Sequence, residues 1–209
     1  MKSFITTLFF AILTSPPAFS LEWDTRIPAT FKIFMENTLH ELYTMEGRQN
    51  SPLHQAIFQG PSHGKTYQKW LNKRIQKISL STNCNVAAHI DSEGPPGILY
   101  ISKCSNLNPT SDDKAYWLSI FIHEARHLES HQQFWKHSVC TDDLGSIMAC
   151  DHSPLGAFGA EKVWAKNLLM SCHNCSPEIL TQLEKIYEDQ TVWNKLMPPA
   201  QSQLRSDAK

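Results

Sequence analysis

Five consecutive residues near the middle of the chain, His123-Glu124-x-x-His127, constrain its folding more than any other stretch. Histidines four residues apart lie about one turn apart on an α-helix, so both imidazoles project from one face and can bind one metal ion. Apolar side chains flank the segment, which predicts a buried helix over about residues 113–136 with its histidines facing a cleft. Glu124 adjoins the first histidine, where a carboxylate can accept a proton from water. The pattern therefore predicts a metal site with a neighbouring general base.

A third protein ligand is expected from the chain that follows this helix, because catalytic zinc sites use three protein ligands. The candidates are His137, Asp151 and Glu161. His137 precedes Cys140, which would tie it to the loop below the helix, and Asp151 adjoins Cys150. Glu161 lies on the next predicted helix. His137 ranks first on this basis, and the two carboxylates stay open as alternatives.

The first residues have the pattern of an exported protein. Residues 1–20 contain one early positive charge, an apolar block and small residues before the end, as in a secretory signal peptide that is cut after Ser20. The apolar block is shorter than the roughly 20 residues that span a bilayer, and no later segment is apolar enough to do so. We therefore expect a secreted or periplasmic protein with no membrane span in its mature chain.

Six cysteines, an even number, fit the oxidising compartment that export implies. Several connectivities are open, and pairing between near neighbours predicts the disulfides Cys84–Cys104, Cys140–Cys150 and Cys172–Cys175. The last pair belongs to a Cys-x-x-Cys motif, which can also be a redox or metal motif. Redox motifs of this kind follow a strand, whereas this one ends a predicted helix, so a structural disulfide is favoured.

The composition indicates one globular domain of balanced charge. A net charge of -1 offers no basic surface for nucleic acid, and the length suits a single domain over residues 21–197 that is expected to be a monomer. Residues 198–209 are rich in Pro, Gln and Ser, which predicts a disordered tail.

Hydrophobic periodicity predicts an α+β fold with N-terminal helices, a small antiparallel sheet, the histidine-bearing helix and a helical C-terminal part. Two short strands, within residues 78–91 and 97–103, are expected to form a hairpin. Residues 138–154 are expected to be irregular. The other predicted helices cover 26–43, 65–78, 155–171 and the stretch that begins at Ser176-Pro177.

Through His123-Glu124-x-x-His127 and the strands before it, the chain resembles the zincin metallopeptidases. The resemblance implies a zincin-like fold, Zn²⁺ as cofactor, a peptide or protein substrate and Glu124 as the catalytic base. More loosely, the segments His137-x-x-Cys140, Cys150-Asp151 and Gly156-Ala157-Phe158-Gly159 are similar to those of uncharacterised exported bacterial proteins with the same HEARH motif.

Two other functions are compatible with the same residues. The chain could be a noncatalytic, metal-stabilised binding or inhibitory module on a zincin scaffold, with Arg126 blocking the cleft. It could also hydrolyse amide bonds of the cell wall, because the chemistry of the site is the same.

Overall fold

A computed structural model describes residues 21–47, 50–91, 93–129, 136–141 and 146–207. The predicted signal segment, residues 1–20, lies outside the described residues. The elements in chain order are β1 (Glu22–Trp23), α1 (Ala29–Thr44), α2 (Pro52–Phe58), α3 (Gly64–Asn72), β2 (Lys77–Ser81), β3 (Ala88–His89), β4 (Ile98–Ser102), a 3-10 turn (Ser111–Asp113), α4 (Lys114–His127), β5 (Ser138–Thr141), β6 (Ile147–Cys150), α5 (Ala157–Ser171), α6 (Pro177–Glu188), α7 (Gln190–Trp193) and α8 (Pro198–Ser206). The predicted α+β class is confirmed.

The sheet is mixed, which corrects the expected antiparallel hairpin. Its order is β1-β2-β4-β3, and β1, β2 and β4 are parallel, with Ile78 opposite Leu99. Only the short β3 runs antiparallel to β4 at the edge. Residues 82–97 are long enough for the crossover that parallel strands need, so β4 returns in the direction of β2. The predicted Cys84–Cys104 disulfide, which is confirmed, closes this crossover.

Helix α4 crosses the centre of the molecule and packs against α1, α5 and α6. A capping box formed by Thr110 and Asp113 precedes it. Trp117 is buried on α4 and meets the Phe31 ring of α1 edge to face at 4.7 Å. The helix ends at His127, earlier than predicted. A tighter turn follows, in which the Leu128 N–H donates to the carbonyl of Ala125, three residues earlier. Residues 130–135 lie outside the described residues.

Two buried lysines of α5 hold the ends of two later helices. The Lys162 ammonium donates at 2.6–2.9 Å to three carbonyls at the end of α6, those of Ile186, Tyr187 and Asp189. Lys166, one turn further along α5, donates to the Leu204 carbonyl at 2.6 Å. The last carbonyls of a helix have no partner within it, so these ammonium groups satisfy acceptors that burial would leave unpaired.

The expectation of a disordered tail is wrong for residues 198–206, which form α8. Pro198 supplies the first turn, and Ala200 and Leu204 are buried against the core. The composition of this stretch is polar, but two apolar residues on one face and the bond to Lys166 suffice to dock it. Residues 208–209 lie outside the described residues.

Residues 138–154, predicted to be irregular, contain the antiparallel hairpin of β5 and β6, so that expectation is wrong. The Cys140–Cys150 disulfide joins the two strands, as predicted. The third predicted disulfide, Cys172–Cys175, is also present, in the turn between α5 and α6. Among the described residues, no helix is long and apolar enough to cross a bilayer.

Candidate metal centre

Three imidazoles converge on one point beside α4. His123 and His127 project from the same face of that helix. His137, the residue immediately before β5, completes the group. Each pair of Nε2 atoms among these three histidines is 3.1 Å apart. Nitrogen ligands at 2.0–2.1 Å from a tetrahedral zinc ion lie about 3.3 Å from one another. The three histidines therefore have the spacing of a metal-binding set.

Carboxylates orient two of the imidazoles from behind. The Nδ1–H of His123 donates to Glu161 Oε1 at 2.6 Å, and that of His137 donates to Asp151 Oδ1 at 2.8 Å. A proton on Nδ1 leaves Nε2 as the nitrogen with the lone pair, which is the tautomer that a metal ligand needs. Asp151 and Glu161, the two alternative third ligands, thus contact the histidines at the nitrogens that face away from the common point.

The β5–β6 hairpin supplies both His137 and its carboxylate partner. His137 lies immediately before β5, and Asp151 immediately after β6. The Cys140–Cys150 disulfide joins the strands close to these two residues. The hairpin therefore brings together two site residues that are far apart along the chain.

The first turn of α5 forms the wall behind the histidines. The Phe158 ring stacks on His137 at 4.3 Å and meets His123 edge to face at 4.7 Å. The Phe158 N–H donates to Asp151 Oδ2 at 2.8 Å. Gly156 lets this carboxylate approach, since a Cβ at position 156 would overlap it. No pattern in the sequence predicted the contact of Phe158 with the imidazoles.

Burial shapes the electrostatics of the centre. Burial lowers the pKa of His123 to about 3, so the imidazole is neutral near pH 7, as metal ligation requires. Burial, followed by the charge of Glu161, raises the pKa of Glu124 to about 8, and the backbone of Ile90 partly opposes this shift. Glu124 therefore lies in a region of low polarity within the cleft that the three histidines also line.

The centre opens into a cleft of about 510 Å³. Its polar lining includes the three histidines, Glu124 and Glu161, together with Lys195 from the turn after α7. Residues 86–90, which include the edge strand β3, line one side and are apolar except for His89. Ile120, Ala149 and Phe158 add further apolar side chains. No motif in the sequence pointed to Lys195 or to β3 as parts of the site.

Arg126 is not among the residues that line this cleft, so the structure gives no support to the alternative in which Arg126 blocks it. Its guanidinium is buried and donates to the Leu155 carbonyl at 2.7 Å and to Glu129. Glu129 also pairs with Arg74 of the segment after α3. Through these contacts Arg126 ties the end of α4 to its neighbours.

Another group of possible ligands consists of Cys140, Cys150 and His152. Its two sulfur atoms form a disulfide, and His152 is exposed. This group is therefore no metal site in the oxidised protein.

Comparison of the chain with protein-family models gave no match, and comparisons with curated proteins and with solved structures gave none either. The chemistry of the site has to be inferred from its own geometry.

Proposed function

We propose that the chain is an exported zinc-dependent peptidase that acts as a monomer. The observation that carries the proposal is the set of three converging Nε2 atoms, two of them oriented by carboxylates, with Glu124 lining the same cleft. His123, His127 and His137 are the ligands. Asp151 and Glu161 hold the imidazoles rather than the ion.

The fit of these residues favours a borderline metal such as zinc. Three neutral imidazoles are ligands that zinc prefers in catalytic sites, and a three-residue set leaves room for water and substrate. When bound, zinc supplies a Lewis acid that acidifies water and polarises a carbonyl. A carboxylate oxygen set would instead have favoured calcium or magnesium.

Glu124 moves the proton in this mechanism. Its carboxylate accepts a proton from the attacking water, and the new C–O bond forms at the peptide carbonyl carbon. The C–N bond then breaks, and Glu124 returns the proton to the leaving amine nitrogen. One water is consumed, and the released carboxylic acid and amine together carry both of its protons, so Glu124 ends each turnover in its starting state.

The walls of the cleft support an extended peptide as substrate. Edge strand β3 lines the cleft, and among the described residues it pairs with β4 on one side only, so it can pair with an extended chain on the other. The cleft is open beside the histidines because Arg126 is held elsewhere. This arrangement supports catalysis over a blocked binding module. The three disulfides fit the oxidising compartment in which an exported enzyme acts.

The test compares metal content and peptide hydrolysis in the mature, oxidised protein. We expect one zinc per chain in the wild type and in Glu124→Gln, but hydrolysis of a peptide library by the wild type alone. His123→Ala and His137→Ala should lose the metal. His152→Ala, which changes an exposed histidine, is the matched control and should keep both properties. Turnover by Glu124→Gln at the wild-type rate, or a wild type without metal, would contradict the proposal.

A further inference from the structure

A half-buried ammonium group lies at the wall of the cleft without a carboxylate partner. Lys195 lines the cleft, and its Nζ is 4.7 Å from the centre of the Phe158 ring. Within the part of the chain that the structure describes, Lys195 forms no ion pair. Contact with an aromatic face compensates only part of the cost of removing a cation from water.

The two carboxylates behind the histidines are already engaged. Glu161 accepts a hydrogen bond from His123, and Asp151 accepts hydrogen bonds from His137 and from the Phe158 N–H. The charge of Lys195 also acts on Glu161 through space, but no ion pair joins the two among the described residues, so the ammonium group can still bind a ligand in the cleft. Lys136, which is exposed, also lines this cleft and adds a second positive charge.

Backbone hydrogen bonds connect Lys195 to the residue that orients His137. The Asp151 N–H donates to the Lys195 carbonyl at 2.8 Å, and the Met197 N–H donates to the Asp151 carbonyl at 3.0 Å. The residue that orients His137 is thus hydrogen-bonded to the backbone that carries the ammonium group. The backbone of Lys195 is thus ordered before a ligand binds, which lowers the entropic cost of binding at its side chain.

The distance from Lys195 to the histidines sets where a bound anion would lie. The Phe158 ring that Lys195 contacts is stacked on His137 at 4.3 Å. These two contacts place the ammonium group at most about 9 Å from the centre of the His137 ring. An extended chain advances about 3.3–3.6 Å per residue, so fewer than three residues of a bound peptide fit within that distance.

Building on the proposed peptidase function, we propose that Lys195 binds a carboxylate of the substrate one or two residues from the bond that is cut. The cleft then selects peptides that carry a negative charge at that place. The carboxylate can come from the C-terminus of the peptide or from an Asp or Glu side chain. Lys195 determines specificity in this scheme and takes no part in proton transfer.

The experiment uses zinc-loaded protein and two sets of matched peptides. One set ends in a carboxylate or a carboxamide, and the other carries Asp or Asn next to the cleaved bond. We expect kcat/KM to be about 10-fold or more higher for the charged member of one set, which identifies the source of the carboxylate. In Lys195→Met, which keeps an apolar stem over Phe158, this ratio should fall towards one. Lys195→Arg should retain part of it.

The control is Lys185→Met, which removes an exposed lysine of α6 and should keep the full ratio. Equal kcat/KM for both members of both sets, or an unchanged ratio in Lys195→Met, overturns the assignment. Calorimetric binding of the same peptides to zinc-loaded Glu124→Gln separates this outcome from failure of the peptidase proposal, because it needs no turnover. Tighter binding of the charged member that Lys195→Met abolishes supports the proposal, whereas equal binding or none overturns it.

Discussion

Asp151 and His137, at opposite ends of the β5–β6 hairpin, are joined by a hydrogen bond of 2.8 Å between Oδ1 and Nδ1. The other oxygen of the same carboxylate accepts the Phe158 N–H at the start of α5. Asp151 therefore fixes the proposed third ligand against the helix that forms the wall of the site. This is the bond on which the position of His137 relative to α4 depends most directly.

Asp151→Asn should weaken zinc binding about 10- to 100-fold, because the amide cannot accept from both His137 and Phe158 as the carboxylate does. Competition with a chromophoric chelator measures the affinity, and circular dichroism checks the fold. Glu184→Gln, which changes an exposed carboxyl of α6, is the control and should bind as the wild type does. Wild-type affinity in Asp151→Asn would show that His137 needs no such partner.

Gly156→Ala should also lower zinc affinity, although Gly156 is not one of the proposed ligands. A Cβ there would overlap the Asp151 carboxylate and displace it from His137. Gly94→Ala places a Cβ near the Asp91 carboxyl, which belongs to an exposed residue and can rotate away. Chelator competition on the two variants should therefore give a loss for the first and no change for the second.

Removal of the hairpin disulfide should weaken the site more than removal of a distant one. Replacement of Cys140 and Cys150 by Ser frees the strands that carry His137 and Asp151, so zinc affinity should fall. Replacement of Cys172 and Cys175 by Ser opens a turn that is remote from the histidines and should leave the affinity unchanged. The same fall in both double variants would point to a general loss of stability instead.

A buried histidine outside the site predicts a loss of stability in acid. His54 is buried, and its Nε2 lies 2.8 Å from the hydroxyl oxygen of Tyr67. Burial lowers the pKa of His54 to about 4, against about 6.5 in the unfolded chain. As the pH falls from 6.5 to 4, His54 therefore binds a proton in the unfolded state but not in the folded state. The free energy of unfolding decreases by about 3 kcal/mol across that range.

Denaturant unfolding of the metal-free protein at several pH values measures this effect. His54→Gln removes the titrating group, so its free energy of unfolding should decline less between pH 6.5 and 4 than that of the wild type. His40→Gln, at an exposed position, should follow the wild-type curve. Parallel curves for the wild type and His54→Gln would mean that His54 is protonated as easily in the folded chain.

The local features of the fold could be predicted from the sequence because local chemistry determines them. Histidines at the helical repeat identified α4, and Ser176 with Pro177 marked the start of α6, where the Ser176 hydroxyl accepts from Ile179 N–H. The disulfide pairs followed from proximity along the chain. The direction of β4 did not follow, because a short apolar strand pairs equally well in either sense until its crossover is known.

The third ligand could only be narrowed down, for a physical reason. All three candidates, His137, Asp151 and Glu161, belong to the centre. Asp151 and Glu161, however, are hydrogen-bonded to imidazoles and do not face the point where the three Nε2 atoms converge. Sequence spacing cannot separate a ligand from the group behind it. Lys195 was missed altogether, since it reaches the cleft through the bridge between Asp151 and Leu196, far from the motif in sequence.

Helix α5 is fastened to a different part of the molecule at almost every turn. Glu161 holds a histidine of α4, Lys162 and Lys166 hold the ends of α6 and α8, and Asn167 accepts the Ser51 N–H that starts α2. One helix is thus hydrogen-bonded both to the metal centre and to segments from the two halves of the chain. Loss of any one of these contacts weakens the packing of the whole of α5. The site and the surrounding fold should therefore unfold as one cooperative unit.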